Sequence, residues 1–281
     1  MIKGIMESAS NLLGFRPHFF FSPDQSAQDL KPFLLSLYED FPLPDATHGI
    51  VVGGDGWMLH TLHSLYEHEN IKISNHVGSI PLYGINCGTV GFLLNHVDKE
   101  KISQLSLWIE KSVSCSLPPL NAEILLESGE RILKKAINEV TLMRESPQAC
   151  ILQIHVNNQM VLEQLIGDGV LVSTPAGSGA YNFSAGGPIL PLNSRSLAVT
   201  PLHAFRPRRW PGAILSDDTY IELKVQKNQT RPVYATVDSF SIAHVISVKI
   251  FKEHQNYYSL LFDPDHHLDQ RIIQEQFIAY N

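Results

Sequence analysis

The sequence predicts an α/β domain with a parallel sheet, followed by an all-β domain. Three observations carry this reading. Up to Lys111, apolar strand-like runs alternate with helix-period stretches, the pattern of a parallel sheet. After Pro118-Pro119 the helical periods give way to a succession of short alternating strands. The length of 281 residues suits two domains at about 150 residues each. The boundaries follow: 1–118 for the α/β domain, 119–262 for the β-rich domain, and 263–281 for a C-terminal helix that docks back on a domain.

In order along the chain, His18 to Phe21 predicts a short aromatic strand. A polar turn at Ser22 to Asp24 leads into a helix ending near Tyr38. Gly49 to Val52 predicts a buried strand that runs into Gly53-Gly54-Asp55-Gly56. The next helix sets Met58, Leu62 and Leu65 on one face. Ile80 to Ile85 predicts a strand ending in Asn86-Cys87-Gly88-Thr89-Val90-Gly91, and Asp98 to Lys111 a further helix. In the second domain, Ala122 to Glu127 alternates, Ser128-Gly129-Glu130 turns, and Ile132 to Leu142 continues as strand with a break near Asn138. Ile151 to Val156 and Gln159 to Leu165 flank Asn157-Asn158, a two-residue hairpin signal. Val170 to Thr174, Tyr220 to Val225, Val233 to Val237, Val245 to Phe251 and Tyr258 to Phe262 complete the predicted strands. Ile273, Phe277 and Tyr280 recur at helical spacing and predict the terminal helix.

Composition narrows the function. Hydrophobic residues make up 44% and charged residues 17%, which supports a substantial core and argues against a disordered chain. Lys and Arg total 21 against 28 Asp and Glu, a net charge of −7, so a general nucleic-acid coat is disfavoured. Attraction for phosphates would have to be local, from backbone amides, helix N-termini, a few arginines or a bound cation. Cys87, Cys115 and Cys150 are scattered without a C-x-x-C, so neither a disulfide framework nor a zinc knuckle is signalled, and a reducing compartment fits. No apolar run reaches the roughly 18 residues of a membrane span, and the N-terminal stretch does not read as a signal peptide. The expectation is a cytoplasmic protein that engages neither membrane nor nucleic acid.

Two Gly-rich loops each follow an apolar strand in the first domain. Ligands of open parallel sheets bind at such strand ends, and glycine lets the backbone approach a phosphate closely. Asp55 stands where its carboxylate would face a bound group; alternatively it caps the helix beginning near Trp57. There is no G-x-x-x-x-G-K-[ST], no G-x-G-x-x-G opening a helix, and no His-Arg-Asp or Asp-Phe-Gly pair. Walker NTPases, the usual dinucleotide folds and protein kinases are thereby excluded. The third segment, Asp168 to Pro188, runs from a strand into a long loop of small and hydroxyl residues and ends on the Gly186-Gly187 pair. His60-x-x-His63 lacks a third metal ligand and reads as surface or packing. Gly177-Ser178-Gly179 is not a nucleophile elbow. Arg206, Arg208 and Arg209 form the densest basic cluster, which would reach a phosphate or a neighbouring subunit or lie in a solvated loop.

Taken in order, Gly53-Gly54-Asp55-Gly56, Asn86 to Leu93, Asn138-Glu139 and Asp168 to Pro188 resemble the motif set of the NAD kinase family. The resemblance extends from about Phe21 to near the C-terminus. Gly-Gly-Asp-Gly also occurs in phosphofructokinases and in diacylglycerol and sphingosine kinases; the four motifs in this order are specific. The resemblance implies a two-domain architecture with the active site between the domains. It implies transfer of the γ-phosphoryl group of ATP to the 2′-hydroxyl of the adenosine ribose of NAD, giving NADP, by a homodimer or homotetramer. By the same resemblance Asp55 is the proton acceptor, with Gly53, Gly54 and Gly56 beside it. Asn138 and Glu139 contact the dinucleotide, Asp168 contacts a ligand, and Ala176, Gly179, Ala180, Tyr181, Asn182, Phe183 and Ser184 form the nucleotide-binding loop. Three positions depart from the family pattern: Cys87 stands where Met is frequent, Gly179 where Thr is usual, and Ile166 where a basic residue often lies.

The chemistry agrees. A ribose hydroxyl is a poor nucleophile, and a carboxylate within reach takes its proton as the phosphoryl bond forms. Without a Walker lysine, Mg²⁺ brought by ATP is expected to neutralise much of the phosphate charge. The rival readings are a lipid kinase sharing the Gly-Gly-Asp-Gly loop, disfavoured without a basic amphipathic surface, and a catalytically dead NAD(P)-binding sensor, disfavoured by Asp55.

Overall fold

The computed structural model describes residues 14–68, 80–88, 91–96, 98–226, 231–254 and 257–264. These fall into two compact units. The first runs to Leu117 and regains the chain at Tyr257; the second opens at Pro118. The predicted helix over 263–281 lies almost wholly outside the described residues.

The first unit comprises β1 (Pro17–Phe21), α1 (Gln25–Leu37), β2 (His48–Gly53), α2 (Asp55–His68), β3 (Leu82–Asn86), α3 (Lys99–Ser103), α4 (Leu105–Lys111), β4 (Val113–Leu117) and a late strand, Tyr258–Phe262. The sheet order is β1, β2, β3, the late strand, β4. The first four strands run parallel, and β4 pairs antiparallel with the late strand. Met58, Leu62 and Leu65 of α2 are buried, as their helical spacing predicts. The late strand corrects the expected domain division, which placed it in the β-rich domain. Four of its five residues are buried, as in a central parallel strand covered on both faces rather than a strand with one wet face. Asn95 fastens it: its Nδ2 donates to Leu261 O at 2.9 Å, and its Oδ1 accepts Asp263 N at 3.0 Å. Asp263 also accepts the Tyr83 hydroxyl at 2.6 Å and pairs with Lys101 at 3.1 Å.

The helix expected over Asp98 to Lys111 is two helices, broken at Gln104, where φ is −120° and ψ 26°. The cause is tertiary. The buried Tyr38 hydroxyl donates to Ile102 O and accepts Leu105 N, each at 2.9 Å, and so satisfies two groups that a continuous helix would have paired with Ser106 N and Lys101 O.

The second unit is built from β5 (Leu120–Leu126), β6 (Arg131–Ala136), β7 (Glu139–Arg144), β8 (Cys150–Val156), β9 (Gln159–Gly167), β10 (Gly169–Ser173), β11 (Ser196–Leu202), β12 (Ala213–Ser216), β13 (Ile221–Val225), β14 (Val233–Val237), β15 (Phe240–Ile242) and β16 (Val245–Lys252). One antiparallel sheet has the order β12-β11-β10-β7-β14-β15, the other β6-β5-β16-β13-β8-β9. Their inward residues, among them Ile124, Leu142, Val172, Leu223 and Val248, share one core. Asn157 and Asn158 have φ of 49° and 65°, the geometry of the predicted tight hairpin. Sequence patterning did not show β4, β11, β12 or β15. Pro201 obscures β11 as a strand. It is tolerated because β12 pairs only with Ser196 to Val199, so the missing N–H of Pro201 falls beyond the end of that neighbour. Among the described residues no helix is long and apolar enough to cross a membrane.

Candidate active site

β2 and β3 lie side by side in parallel register, with Gly53 opposite Asn86, so both Gly-rich loops of the first unit leave the carboxyl edge of the sheet. Gly53 is required sterically: a Cβ there would lie 2.9 Å from the Ser22 Cβ and 3.1 Å from that of Trp57. Gly54 and Gly56 border open space, with nothing within 4 Å of a would-be Cβ. Helix α2 begins at Asp55 itself rather than near Trp57, so Asp55 does not cap it in the expected way. Its carboxylate instead crosses to the second loop, where Oδ2 accepts Phe92 N at 2.8 Å and Oδ1 accepts Leu93 N at 2.9 Å. His60 stacks on Trp57 at 4.8 Å and His63 is buried. Among the described residues no group of three His, Cys, Asp or Glu side chains is placed to hold a metal ion.

In the second unit, the break between β6 and β7 presents Asn138 and Glu139. Asp238, in the turn between β14 and β15 at φ 49°, organises this break. Its Oδ2 accepts Ile137 N at 2.7 Å, and its Oδ1 accepts Asn138 N at 2.9 Å and Glu139 N at 3.0 Å. Thr174 holds the other side: its hydroxyl donates to Ile137 O at 2.6 Å and its N–H to Asn138 O at 2.9 Å. Two buried acceptors, Asn138 Oδ1 and Glu139 Oε2, have no protein partner. Burial, followed by the nearby Asp238 charge, pushes the Glu139 carboxyl up to about 8.

The remaining predicted contacts lie on the same unit. Asp168, between β9 and β10, receives Arg144 Nε at 2.5 Å and lies 3.4 Å from His203 Nδ1. After β10 the chain makes a 3₁₀ turn, Ala176–Gly179, and then a single helical turn, Tyr181–Ser184. Gly177 is required, because a Cβ would stand 2.3 Å from Asn138 O. Ala176, Gly179, Ala180 and Phe183 are half-buried, while Tyr181 and Ser184 are exposed. Partial burial, then the charges of Tyr234, Asp168 and Glu139, raise the Tyr181 hydroxyl above its ordinary value. Asn182 differs from its neighbours, being wholly buried. Its Nδ2 donates to Ser178 O at 3.0 Å and Pro188 O at 2.8 Å, and its Oδ1 accepts the Thr200 hydroxyl at 2.6 Å. The carboxamide therefore pins the loop.

The structure thus gathers Glu139, Asp168 and Tyr181 within the second unit and places Gly53, Gly54, Asp55 and Gly56 at one sheet edge of the first. Sequence reasoning missed Arg144, His203, Tyr234 and Asp238. Arg144 ends an unremarkable strand, and Asp238 lies 100 residues from the amide of Asn138 that it holds. Ile166 pairs through its main chain with Arg206, accepting Phe205 N at 2.7 Å and donating to Arg206 O at 2.8 Å, while the Arg206 guanidinium stacks over Phe205.

Comparison with known proteins agrees with this geometry. Residues 137–250 match the family profile described as the ATP-NAD kinase C-terminal domain. The chain is 42% identical over 256 residues to an NAD kinase of Zymomonas mobilis, covering 91% of this chain and 95% of that one. It is 41% identical to an NAD kinase of Xylella fastidiosa, covering 92% and 95%. The fold is that of a yeast NADH kinase solved with NADH, at a TM-score of 0.78 and 18% identity, covering 95% of this chain and 89% of the other. It is likewise that of an NAD kinase from Archaeoglobus fulgidus solved with ATP, at a TM-score of 0.71 and 22% identity, covering 93% and 98%. Sequence identity at this level over nearly the whole length settles the family: the chain belongs to the NAD kinases.

Proposed function

We propose that this protein transfers the γ-phosphoryl group of ATP to the 2′-hydroxyl of the adenosine ribose of NAD, giving NADP. Besides family membership, one observation carries the reading. Asn138 Oδ1 and Glu139 Oε2 are buried acceptors without a protein partner, in a region made acidic by Asp168 and Asp238. Such a surface suits the hydroxyl and amino groups of a nucleoside rather than its phosphates. Asn138, Glu139, Asp168 and the main chain from Ala176 to Ser184 are the proposed dinucleotide contacts. Gly54 and Gly56, which border open space, are proposed to leave room for the reacting groups, Gly53 to let the loop pack against Ser22 and Trp57, and Asp55 to accept the proton of the attacking hydroxyl.

In this scheme Phe92 N–H and Leu93 N–H hold the carboxylate in one orientation. The carboxylate accepts the hydroxyl proton as the oxygen attacks the γ-phosphorus and the bond from that phosphorus to the β–γ bridging oxygen breaks, releasing ADP. Mg²⁺ enters as the MgATP substrate and reduces repulsion between the phosphates and the attacking oxygen. The proposed setting is the cytoplasm, where ATP and NAD are available and the three unpaired thiols stay reduced. The homodimer or homotetramer implied by the family is proposed with it; the edge strand β9, with Met160 and Val161 more than half exposed, offers a surface for it.

The test is a phosphotransfer assay with MgATP and, separately, NAD, NADH and a dispersed diacylglycerol, with NADP read by an NADP-specific dehydrogenase. NADP formation from NAD is the expected result. Phosphorylation of the lipid instead would make the protein a lipid kinase. NAD binding without turnover would make it a sensor.

A further inference from the structure

We propose that Asp238 is a positioning residue for dinucleotide binding: its carboxylate gathers three consecutive main-chain N–H groups and thereby presents Asn138 Oδ1 and Glu139 Oε2 to the ligand. This rests on the reading of Asn138 and Glu139 as dinucleotide contacts. Asn138 lies in the break between β6 and β7 and Glu139 opens β7, where β14 has already ended at Val237 and offers their amides no ladder carbonyl. Asp238 replaces the ladder, with N···O distances of 2.7, 2.9 and 3.0 Å from Ile137, Asn138 and Glu139. In return Asp238 donates its own N–H to Glu139 O at 3.0 Å. A short turn with a left-handed residue is thereby locked to the break from both sides. Three bonds to one charged acceptor are individually stronger than neutral ones and fix the direction of the peptide planes from which both side chains emerge.

The same carboxylate acts on the proton of Glu139. Behind burial, the Asp238 charge is the second cause of the elevated Glu139 value. The other titratable group facing Glu139 is the Tyr181 hydroxyl, which itself senses Tyr234 and Asp168. Asp238 therefore places Glu139 and, behind burial, contributes to holding its proton.

Calorimetric titration of NAD into the parent and Asp238→Asn, across pH 6 to 9, tests this. In the variant an amide –NH₂ replaces one acceptor oxygen and faces an N–H donor. Dinucleotide affinity should fall at least about tenfold, as for loss of one charge-assisted bond. The pH midpoint of binding should move to the acid side by about one unit. In turnover, KM for NAD should rise while kcat at saturation stays within a few-fold; a merely structural lesion would lower kcat instead. Should Asp238→Asn not melt cooperatively, Asp238→Glu, which keeps the charge but displaces the oxygens, is read for affinity alone. Unchanged affinity in whichever variant folds overturns the proposal, and so does a fall in kcat with KM unchanged. Asn138→Ala and Glu139→Gln separate the two readings. If neither weakens NAD binding, the site assignment itself fails; if they do and Asp238 variants do not, only the positioning role fails.

Discussion

The Asp55 carboxylate accepts the main-chain N–H of Phe92 at 2.8 Å, so the proposed proton acceptor is also the tie between the two Gly-rich loops of the first unit. This double use changes how its replacement must be judged. Asparagine keeps the shape but turns an –NH₂ towards one of two N–H donors, the other being Leu93 N at 2.9 Å. Asp55→Asn should lower turnover by roughly 10²–10⁴-fold, the usual contribution of a general base. It should also lower stability by about 1.5–3 kcal/mol, the worth of a hydrogen bond to a charged group. Turnover and thermal melting measured together decide: a lowered melting temperature with near-normal turnover, chemistry being rate-limiting in the parent, would leave Asp55 as a tie only.

Chelation should separate chemistry from folding. EDTA is expected to abolish NADP formation, with Mg²⁺ or Mn²⁺ restoring it, because the ATP phosphates need a divalent counter-charge. Unfolding without nucleotide should hardly change, given that the described residues gather no ligand set. A large drop in melting temperature on EDTA alone would expose a structural metal.

Gly179 admits a sharper test. It lies outside the left-handed region, and a Cβ there would meet nothing within 4 Å. Threonine therefore fits without strain, restores the hydroxyl usual in the resembling loops and reduces the freedom of the unfolded loop. Gly179→Thr should tighten nucleotide binding by about 1 kcal/mol, one recovered hydrogen bond. Weaker binding by calorimetric titration would mean that the glycine serves a closer approach by the ligand.

Asn182→Ala should act on stability first. It strips partners from the Thr200 hydroxyl and from the carbonyls of Ser178 and Pro188, all within a buried cluster. A loss of roughly 2–4 kcal/mol is expected in denaturant unfolding. Gly187→Ala should be comparably harmful, since its Cβ would stand 2.1 Å from Asn182 Oδ1. A variant that keeps its stability and loses only nucleotide affinity would make the Asn182 carboxamide a direct contact.

Glu139 makes stability of the ligand-free protein pH-dependent. Its folded value, about 8, lies above the ordinary 4.5, so the folded protein keeps a proton that the unfolded chain releases. That contribution is fully present below about 4.5 and is lost as pH rises through about 8. Glu139→Gln should remove this dependence and raise stability at pH 8.5 by roughly 1–3 kcal/mol, as read by thermal melting across pH. An unaltered pH profile would assign the dependence to another group.

Much of the local structure was legible in the residues. Period-3.6 spacing announced α2, and Asn157-Asn158 announced its hairpin because both φ values are positive. The strand-then-glycine rhythm announced two loops at one sheet edge, since β2 and β3 are consecutive parallel strands. The ordered motifs named the family. These are local features: each depends on residues a few positions apart and on the intrinsic preferences of the backbone.

What only the tertiary structure decided depends on partners distant in sequence. The Tyr38 hydroxyl, 67 residues from the Leu105 amide, splits one expected helix into two. Tyr258–Phe262 joins the first sheet rather than the nearer β strands, because both its faces need cover and the Asn95 carboxamide receives it there. Asp238 closes on Asn138 from 100 residues away. A buried polar group must find a partner wherever the chain brings one, and no local pattern in the sequence records which one it will be.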